Sequence, residues 1–412
     1  MNATNNIDRY LARLLLITFF LPMKLQVWVT MAVSVYFVVR TIKTKGGLTK
    51  GNAVRATIIS AGFFLFLLAI PFTPHEYLHR LMTLCGQRVS FLFMPFLFAV
   101  IAPAFTRLIA DELLYFVYGC VLTCVVANAG VAYHYFILKD VAAMTHIAYR
   151  GKVHQLTDIH PTYLSMYLGF AICVLLYAGE RGLRLKSLYV NLLLFLSFVF
   201  LLALGAKTPM LATAAVVVLY FATKRGKLKE YKVLIGTMIV TTVCAWLFVP
   251  FIAQRMNEMV QFFSAEKHTL TNDNSVYARQ LIWNMDMNLL HHYWLTGVGP
   301  GRVYMMMELQ SFVRSLHASL PELYHDPHNE YIYEWLCFGL AGVGILVATF
   351  LWHIRQGVIT KNQLYLCLMV VIVATCFTES ILSLQRGIMF YSFFTSMFFF
   401  ATKEDNAIVS RS

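Results

Sequence analysis

Residues 325–330 (HDPHNE) place two imidazoles, two acidic side chains and one amide next to an apolar run that begins near residue 332. A neutral imidazole can take a proton from a hydroxyl group near pH 7, so His325 and His328 are candidate general bases. Asn329 and Glu330 are candidates for supporting the base or an acceptor. Two other interpretations remain open: Asn329 or Asp326 can cap the following helix, and the histidines can be two ligands of a metal ion.

Several basic residues stand at the ends of apolar runs or in the long polar segment before residue 325, where they can bind an anion. These candidates are Arg150, Lys152, Lys207, Arg279 and Arg386. A guanidinium binds phosphate oxygens through two parallel hydrogen bonds. Structural roles are open as well, because Arg279 can be a solvated helix residue and Arg386 can pair with Glu379.

Lys207 lies in LGAKTP at residues 204–209, between two apolar runs. A cation there must reach water, pair with an acid or bind an anionic headgroup. We expect Thr208 to cap the next helix, whose free backbone N–H groups would add to the affinity for an anion. A lysine that only anchors the helix end at the interface is the alternative.

His160 and Tyr163 open another apolar run, on either side of Pro161. They are candidates for contacting an acceptor. A helix that starts at a proline and carries a tyrosine at the membrane interface explains the same residues without chemistry.

The elements that must position these residues follow from composition. The chain has 412 residues, of which 59% are hydrophobic, 15% aromatic and only 13% charged. This charged fraction is too low for a soluble protein of this size, and the aromatic content excludes disorder. The net charge of +13 is spread in clusters between apolar runs, which argues against nucleic-acid binding and for a membrane protein. We therefore predict an all-α polytopic membrane protein.

A membrane span needs roughly 20 apolar residues, and about twelve stretches approach that length. They lie near 10–22, 25–41, 54–71, 89–105, 113–137, 161–178, 187–204, 208–223, 233–252, 332–352, 363–380 and 387–402. We expect nine spans in residues 1–252, an external segment at 253–331 and three spans with a short tail in residues 332–412. Because the Lys- and Arg-rich loops should face the cytoplasm, the segment 253–331 should face the periplasm of a bacterium.

The segment 253–331 is unlike an ordinary loop. Its aromatic residues Trp283, Tyr293, Trp294 and Tyr304 predict a small hydrophobic core. Residues 276–290 and 302–317 predict two helices, with a glycine-rich turn at 297–301 between them.

The quoted residues and the layout together resemble the O-antigen ligase/polymerase superfamily of bacterial envelope glycosyltransferases. The resemblance rests on HNEYIYEWLCFGLAG at 328–342, on Ala278-Arg279 followed by Trp283 and LTGVGPG at 295–301, on GAKTP at 205–209, and on one large late loop. It covers the second half of the chain by motif and the first half mainly by layout.

The resemblance implies a GT-C-like bundle and an inverting, metal-independent transfer from undecaprenyl diphosphate, with no cofactor. It implies that His328 activates the acceptor hydroxyl and that Arg279 binds the donor diphosphate. His325 falls near a second histidine of the family. Lys207 stands where many relatives have arginine, which keeps the charge but loses the bidentate fork. Arg150, Lys152 and Arg386 are expected to contribute to the same anion site.

The function expected from the sequence is an O-antigen ligase of the bacterial inner membrane, which transfers polysaccharide to the lipid A–core at the periplasmic face. An O-antigen polymerase and a protein O-oligosaccharyltransferase share the same pattern. A secondary transporter or flippase is the rival from another class, but it would place charged residues at the middle of its spans. A non-catalytic scaffold would not need these cations.

Overall fold

The computed structural model describes residues 6–44, 46–101, 103–140, 145–178, 186–263, 275–318 and 326–401. Within these ranges the regular structure is helical, and no strand occurs. The α-helices are α1 Asn6–Ile17, α2 Met23–Lys43, α3 Lys50–Ile59, α4 Ala61–Leu68, α5 His75–Arg88, α6 Ser90–Val100, α7 Pro103–Asp111, α8 Leu114–Phe136, α9 His146–Thr157, α10 Pro161–Leu176, α11 Ser187–Leu204, α12 Lys207–Thr223, α13 Arg225–Phe248, α14 Pro250–Phe263, α15 Ser275–Tyr293, α16 Val303–Ala318, α17 Glu330–Phe338, α18 Leu340–Ile359, α19 Gln363–Cys376 and α20 Gln385–Ala401.

The prediction of an all-α polytopic membrane protein is confirmed, but the expected number of spans is too high. The described residues contain six helices long and apolar enough to cross a membrane, or up to eight if two bent helix pairs each count as one span. α3 and α4 meet at 66°, and α9 and α10 at 77°. Hydropathy along the chain does not detect such bends, nor that α12 and α19 are shorter than a bilayer core.

The centre of the bundle consists of α10 and α20. Every residue of α10 from Pro161 to Leu176 is buried, as an apolar helix without a polar face must be. α10 packs against α8, α11, α12 and α19, while α20 packs against α6 and α7. Tyr167 stacks on Phe390 with ring centroids 4.7 Å apart, so α10 and α20 are joined by aromatic contacts. We place α10 within the membrane and the polar, twelve-residue α9 outside it.

The helices predicted in the external segment are present as α15 and α16, and they share a hydrophobic core with α17. Ile282, Met285 and Leu289 of α15 are buried there against Val303 and Tyr333, with Trp283 and Tyr304 packed at its edge. The expectation for Tyr293 and Trp294 is wrong, because they are 38% and 52% exposed. Both follow the part of α15 that faces this core.

Two glycines bring the external segment against the break between α17 and α18. Gly297 and Gly339 have φ values of +68° and +62°, in the region that favours glycine. A Cβ on Gly297 would lie 2.6 Å from the backbone nitrogen of Gly339, and one on Gly339 would overlap the carbonyl of Leu295. This backbone contact fixes the position of α17 relative to α18, and with it the position of His328.

We expect Gly339→Ala to destabilise the protein by on the order of 2 kcal/mol or more, because it combines an unfavourable φ with a backbone overlap. The matched control is Gly344→Ala in α18, where an added Cβ meets nothing within 4 Å. Thermal unfolding of both purified variants in the same detergent tests this. Equal melting temperatures would contradict the proposed constraint.

Candidate functional site

One carboxylate connects the two most important candidates from the sequence. Glu379, in the turn after α19, accepts a hydrogen bond from Nη2 of Arg279 at 2.8 Å through Oε1. Its Oε2 lies 3.2 Å from Nδ1 of His328. Arg279 belongs to α15 and His328 to the turn before α17, so the fold brings three separate segments together at this carboxylate. One alternative from the sequence paired Glu379 with Arg386, but Arg386 donates to Asp158 instead.

Arg279, Glu379 and His328 form a trio in which the negative carboxylate stabilises the positive charge of its two neighbours. Burial lowers the pKa of His328, but the hydrogen bond and charge of Glu379, with the charge of Asp326, outweigh burial and raise that pKa above its usual value. Burial favours a protonated Glu379, but the hydrogen bond from His328 and the charge of Arg279 keep the pKa of this carboxyl below its usual value. Glu379 is therefore ionised at neutral pH.

The protonation of Glu379 determines which nitrogen of His328 is available. An ionised carboxylate can only accept, so Nδ1 of His328 must carry the hydrogen that it donates to Oε2. When the ring is neutral, Nε2 then has the free lone pair. The side chain of His328 is 34% exposed, so the ring is accessible from outside. Carboxylate and imidazole are thus arranged as in a general-base pair.

The backbone around His328 is held in an uncommon conformation. His328 has φ of +47°, which non-glycine residues seldom adopt. Its N–H donates to Oδ1 of Asp326 at 2.9 Å, and the hydroxyl of Ser380 donates to the same oxygen at 2.6 Å. Trp283 of α15 donates from Nε1 to the carbonyl of Pro327 at 2.7 Å. These contacts fix the imidazole relative to Glu379, the neighbour of Ser380.

Asn329 caps α17, as one interpretation of the sequence predicted. Its Oδ1 accepts from the N–H groups of Tyr331 and Ile332 at 3.0 and 3.1 Å. Its Nδ2 donates to the carbonyl of Phe377 at 3.1 Å, two residues before Glu379. The structure therefore bears out the helix-cap interpretation of Asn329, and its bond to Phe377 ties α17 to the turn that carries Glu379.

A cluster of positive charge adjoins the trio where α11 meets α12. Gly205 ends α11 with φ of +59°, and a Cβ on it would lie 3.0 Å from Cγ of Arg255 and 3.4 Å from Nε2 of His146. Burial and then the charges of Arg255, Arg150 and Lys207 lower the pKa of His146 to about 3. His146 is therefore neutral at neutral pH, mainly because it is buried and further because three cations lie near it.

Hydrogen bonds link the trio to the cation cluster, which consists of Arg150, Lys207 and Arg255. Nη2 of Arg150 donates to Oγ1 of Thr162 at 3.2 Å, and that hydroxyl lies 3.5 Å from Oε1 of Glu379. Thr208, next to Lys207, accepts from the hydroxyl of Thr378 at 2.7 Å, next to Glu379. Thr208 was expected to cap α12, but Ala206 is the N-cap residue. Lys207 is instead the first residue of the helix.

His160 lies beside the trio and caps α10, since its Nδ1 accepts from the N–H of Thr162 at 3.4 Å. Burial lowers its pKa to about 4; the charge of Glu379 opposes this, while Arg150 and His328 add to it. Tyr163 is buried next to His160, with ring centroids 6.0 Å apart. Tyr163 thus packs against His160 at the edge of the site.

Three further candidate residues form contacts with other parts of the protein. Arg386 is 5% exposed and donates to the carbonyls of Phe19 and Leu21 and, at 2.8 Å, to Oδ2 of Asp158. Lys152 lies 3.3 Å from Nδ1 of His134. Glu330 is fully buried and accepts from the N–H of Leu382 at 2.7 Å. These contacts favour structural roles. His325 lies outside the described residues.

Sequence reasoning missed Arg255 and His146, and it assigned Glu379 to another partner. Arg255 lies on α14, which follows the apolar run at 233–252, and nothing near it in sequence suggested a site. Glu379 is an acidic residue between two apolar runs, and that position could have drawn attention to it.

Residues 192–347 match the family model described as O-Antigen ligase. This match supports the resemblance of the chain to the O-antigen ligase superfamily. The predicted resemblance is thereby confirmed, and with it a multi-pass membrane protein of the O-antigen ligase/polymerase type. The family is one of membrane glycosyltransferase-like enzymes with a lipid-linked polysaccharide donor and a lipid acceptor. A comparison with curated proteins found no match.

The matched stretch contains Lys207, Arg255, Arg279 and His328 but ends before Glu379. Arg150, Thr162 and Glu379 thus come from parts of the chain outside the match. The candidate site therefore combines residues of the matched stretch with residues of α9, α10 and the turn after α19.

We expect Arg386→Met to lower the stability of the protein by on the order of 3 kcal/mol, because it leaves two carbonyls and Asp158 without a buried charged donor. Arg279→Met should cost much less, since the side chain of Arg279 is 24% exposed. Thermal unfolding of both variants provides the comparison. If Arg386→Met keeps its stability but no longer binds the lipid-linked donor, Arg386 binds that donor and the structural role is wrong.

Proposed function

We propose that this protein is an O-antigen ligase that transfers a polysaccharide en bloc from undecaprenyl diphosphate to a sugar hydroxyl of the lipid A–core. The observation that carries the proposal is the single carboxylate of Glu379, which holds a guanidinium and an imidazole side by side at a helix-end surface. A phosphate-binding group and a base are what such a transfer requires.

In the proposed reaction, Nε2 of His328 removes the proton of the acceptor hydroxyl while the oxygen attacks the anomeric carbon of the donor sugar. The bond between that carbon and the diphosphate oxygen breaks, and its electron pair leaves with the undecaprenyl diphosphate. Arg279, Lys207 and Arg150 stabilise the negative charge that develops there. A single displacement of this kind inverts the configuration at the anomeric carbon.

A cavity below the cation cluster supports a polyprenyl-linked donor. It has a volume of about 300 Å³ and lies between α10, α11, α12 and α13. Its walls include Leu201, Met210 and Phe221 and are almost entirely apolar. An isoprenoid chain in this cavity would place its diphosphate near Lys207, the first residue of α12.

The distribution of Lys and Arg supports a periplasmic orientation of the site in a bacterial inner membrane. Arg40, Lys43, Lys50 and Arg55 lie near the junction of α2 and α3, away from the trio. The rule on positive loops places that junction in the cytoplasm and His328 outside.

His328→Ala should abolish capped lipopolysaccharide, because it removes the imidazole that contacts Glu379, is partly exposed and is the proposed base. The measurement is a lipopolysaccharide gel of a deletion strain that expresses the variant, with membrane insertion checked by immunoblot. His154→Ala, in the neighbouring α9, is the control and should retain capped bands.

The same gel separates the related activities. Loss of all capped bands with accumulation of lipid-linked polymer indicates a ligase, whereas bands with a single repeat unit indicate a polymerase. Normal capped bands in the His328→Ala strain would exclude the histidine as the base.

Glu379→Gln should move the acid limb of the pH–rate profile to lower pH, in addition to slowing transfer. Glu379 raises the pKa of His328, so its neutralisation lets the imidazole lose its proton at a lower pH. The rate of transfer between purified donor and acceptor, measured from pH 5 to 9, tests this. An acid limb at the same pH in both proteins would show that another group titrates.

A further inference from the structure

The end of the bundle opposite the trio contains a second cavity lined by basic side chains. It has a volume of about 610 Å³, and Lys50 and Arg55 of α3 and Trp352 and Arg355 of α18 line it, together with Phe399 of α20. α20 begins at Gln385, six residues after Glu379, and Phe399 lies about 21 Å farther along its axis at 1.5 Å per residue. The cavity is therefore separate from the proposed active site.

The cations of this cavity are not used by the fold. Among the described residues, no carboxylate forms an ion pair with Lys50, Arg55 or Arg355. Three like charges around one cavity repel one another, so they are expected to attract an anion. α3 also begins at Lys50, which directs the positive end of its helix dipole toward the same place.

A second observation also indicates an oxygen-bearing ligand. Nε1 of Trp352 is buried, and no hydrogen-bond acceptor reaches it among the described residues. A buried donor without a partner costs free energy. An oxygen atom of a ligand within the cavity would provide the missing acceptor.

The remaining walls indicate that the anion carries an apolar part. Val54, Ile58 and Phe399 line the cavity beside the cations. Free phosphate would gain nothing from these side chains, whereas a phospholipid would place its headgroup against the cations and its acyl chains along α3 and α20. Basic pockets between membrane helices are suited to anionic headgroups.

We propose that this cavity binds the phosphate headgroup of an anionic glycerophospholipid in the leaflet opposite the active site. The lipid would contact α3, α18 and α20, and so link these three helices at this end of the bundle. This site is independent of the proposed transfer reaction, and its test uses no measurement of transfer.

The experiment is native mass spectrometry of the delipidated, full-length protein in detergent, titrated with dioleoylphosphatidylglycerol. The double variant Arg55→Gln/Arg355→Gln should bind this lipid at least about tenfold more weakly than the unmodified protein. The matched control is Lys229→Gln/Lys232→Gln, which removes the same charge from exposed positions of α13 and should bind normally. Arg55→Lys/Arg355→Lys should retain most of the affinity, because the charge is kept.

Dioleoylphosphatidylcholine and inorganic phosphate complete the titration. Both should bind much more weakly than phosphatidylglycerol, since the first has no net charge and the second has no chains. Equal affinity for phosphatidylcholine, equal weakening in the α13 control, or displacement of the lipid by millimolar phosphate would each overturn the proposal.

Discussion

The arrangement of the site depends on one negative charge among several positive ones. Arg279, Arg150, Lys207 and Arg255 converge at the end of an apolar bundle, where little water screens their repulsion. Glu379 contacts Arg279 directly and reaches Arg150 through Thr162. Burial is the main cause of the low pKa of His146, and the charges of Arg255, Arg150 and Lys207 lower it further. In the proposed reaction these cations would face the donor diphosphate.

The polar groups lie where helices bend or end. His160 stands between α9 and α10, Lys207 between α11 and α12, and His328 before α17. Within a bilayer the backbone must satisfy its own hydrogen bonds, so helices supply rigid positions while their ends supply free polar groups. The turn after α19 then joins these ends, because Asn329, Asp326 and Thr208 all bond to it or to residues within it.

The two ends of the bundle present cations in different settings. At the trio, Arg279 is paired with Glu379 beside His328, and the side chains of Arg279 and His328 are partly exposed. At the opposite end, Lys50, Arg55 and Arg355 have no carboxylate partner among the described residues and face apolar side chains. The first setting suits a charge that forms during a reaction. The second suits a stable anion that remains bound.

Composition and apolar runs alone determined the all-helical membrane fold, and local patterns determined α15, α16 and the cap at Asn329, because these features depend on neighbours in sequence. The motifs around His328 and Arg279 gave the resemblance to the O-antigen ligase superfamily, which the match of residues 192–347 supports. Only the tertiary structure decided that Glu379 belongs to Arg279 and His328, that Arg386 binds Asp158, and that Arg255 joins the site. Those pairings join residues up to 228 positions apart, and their geometry is set by helix bends and packing that hydropathy does not encode.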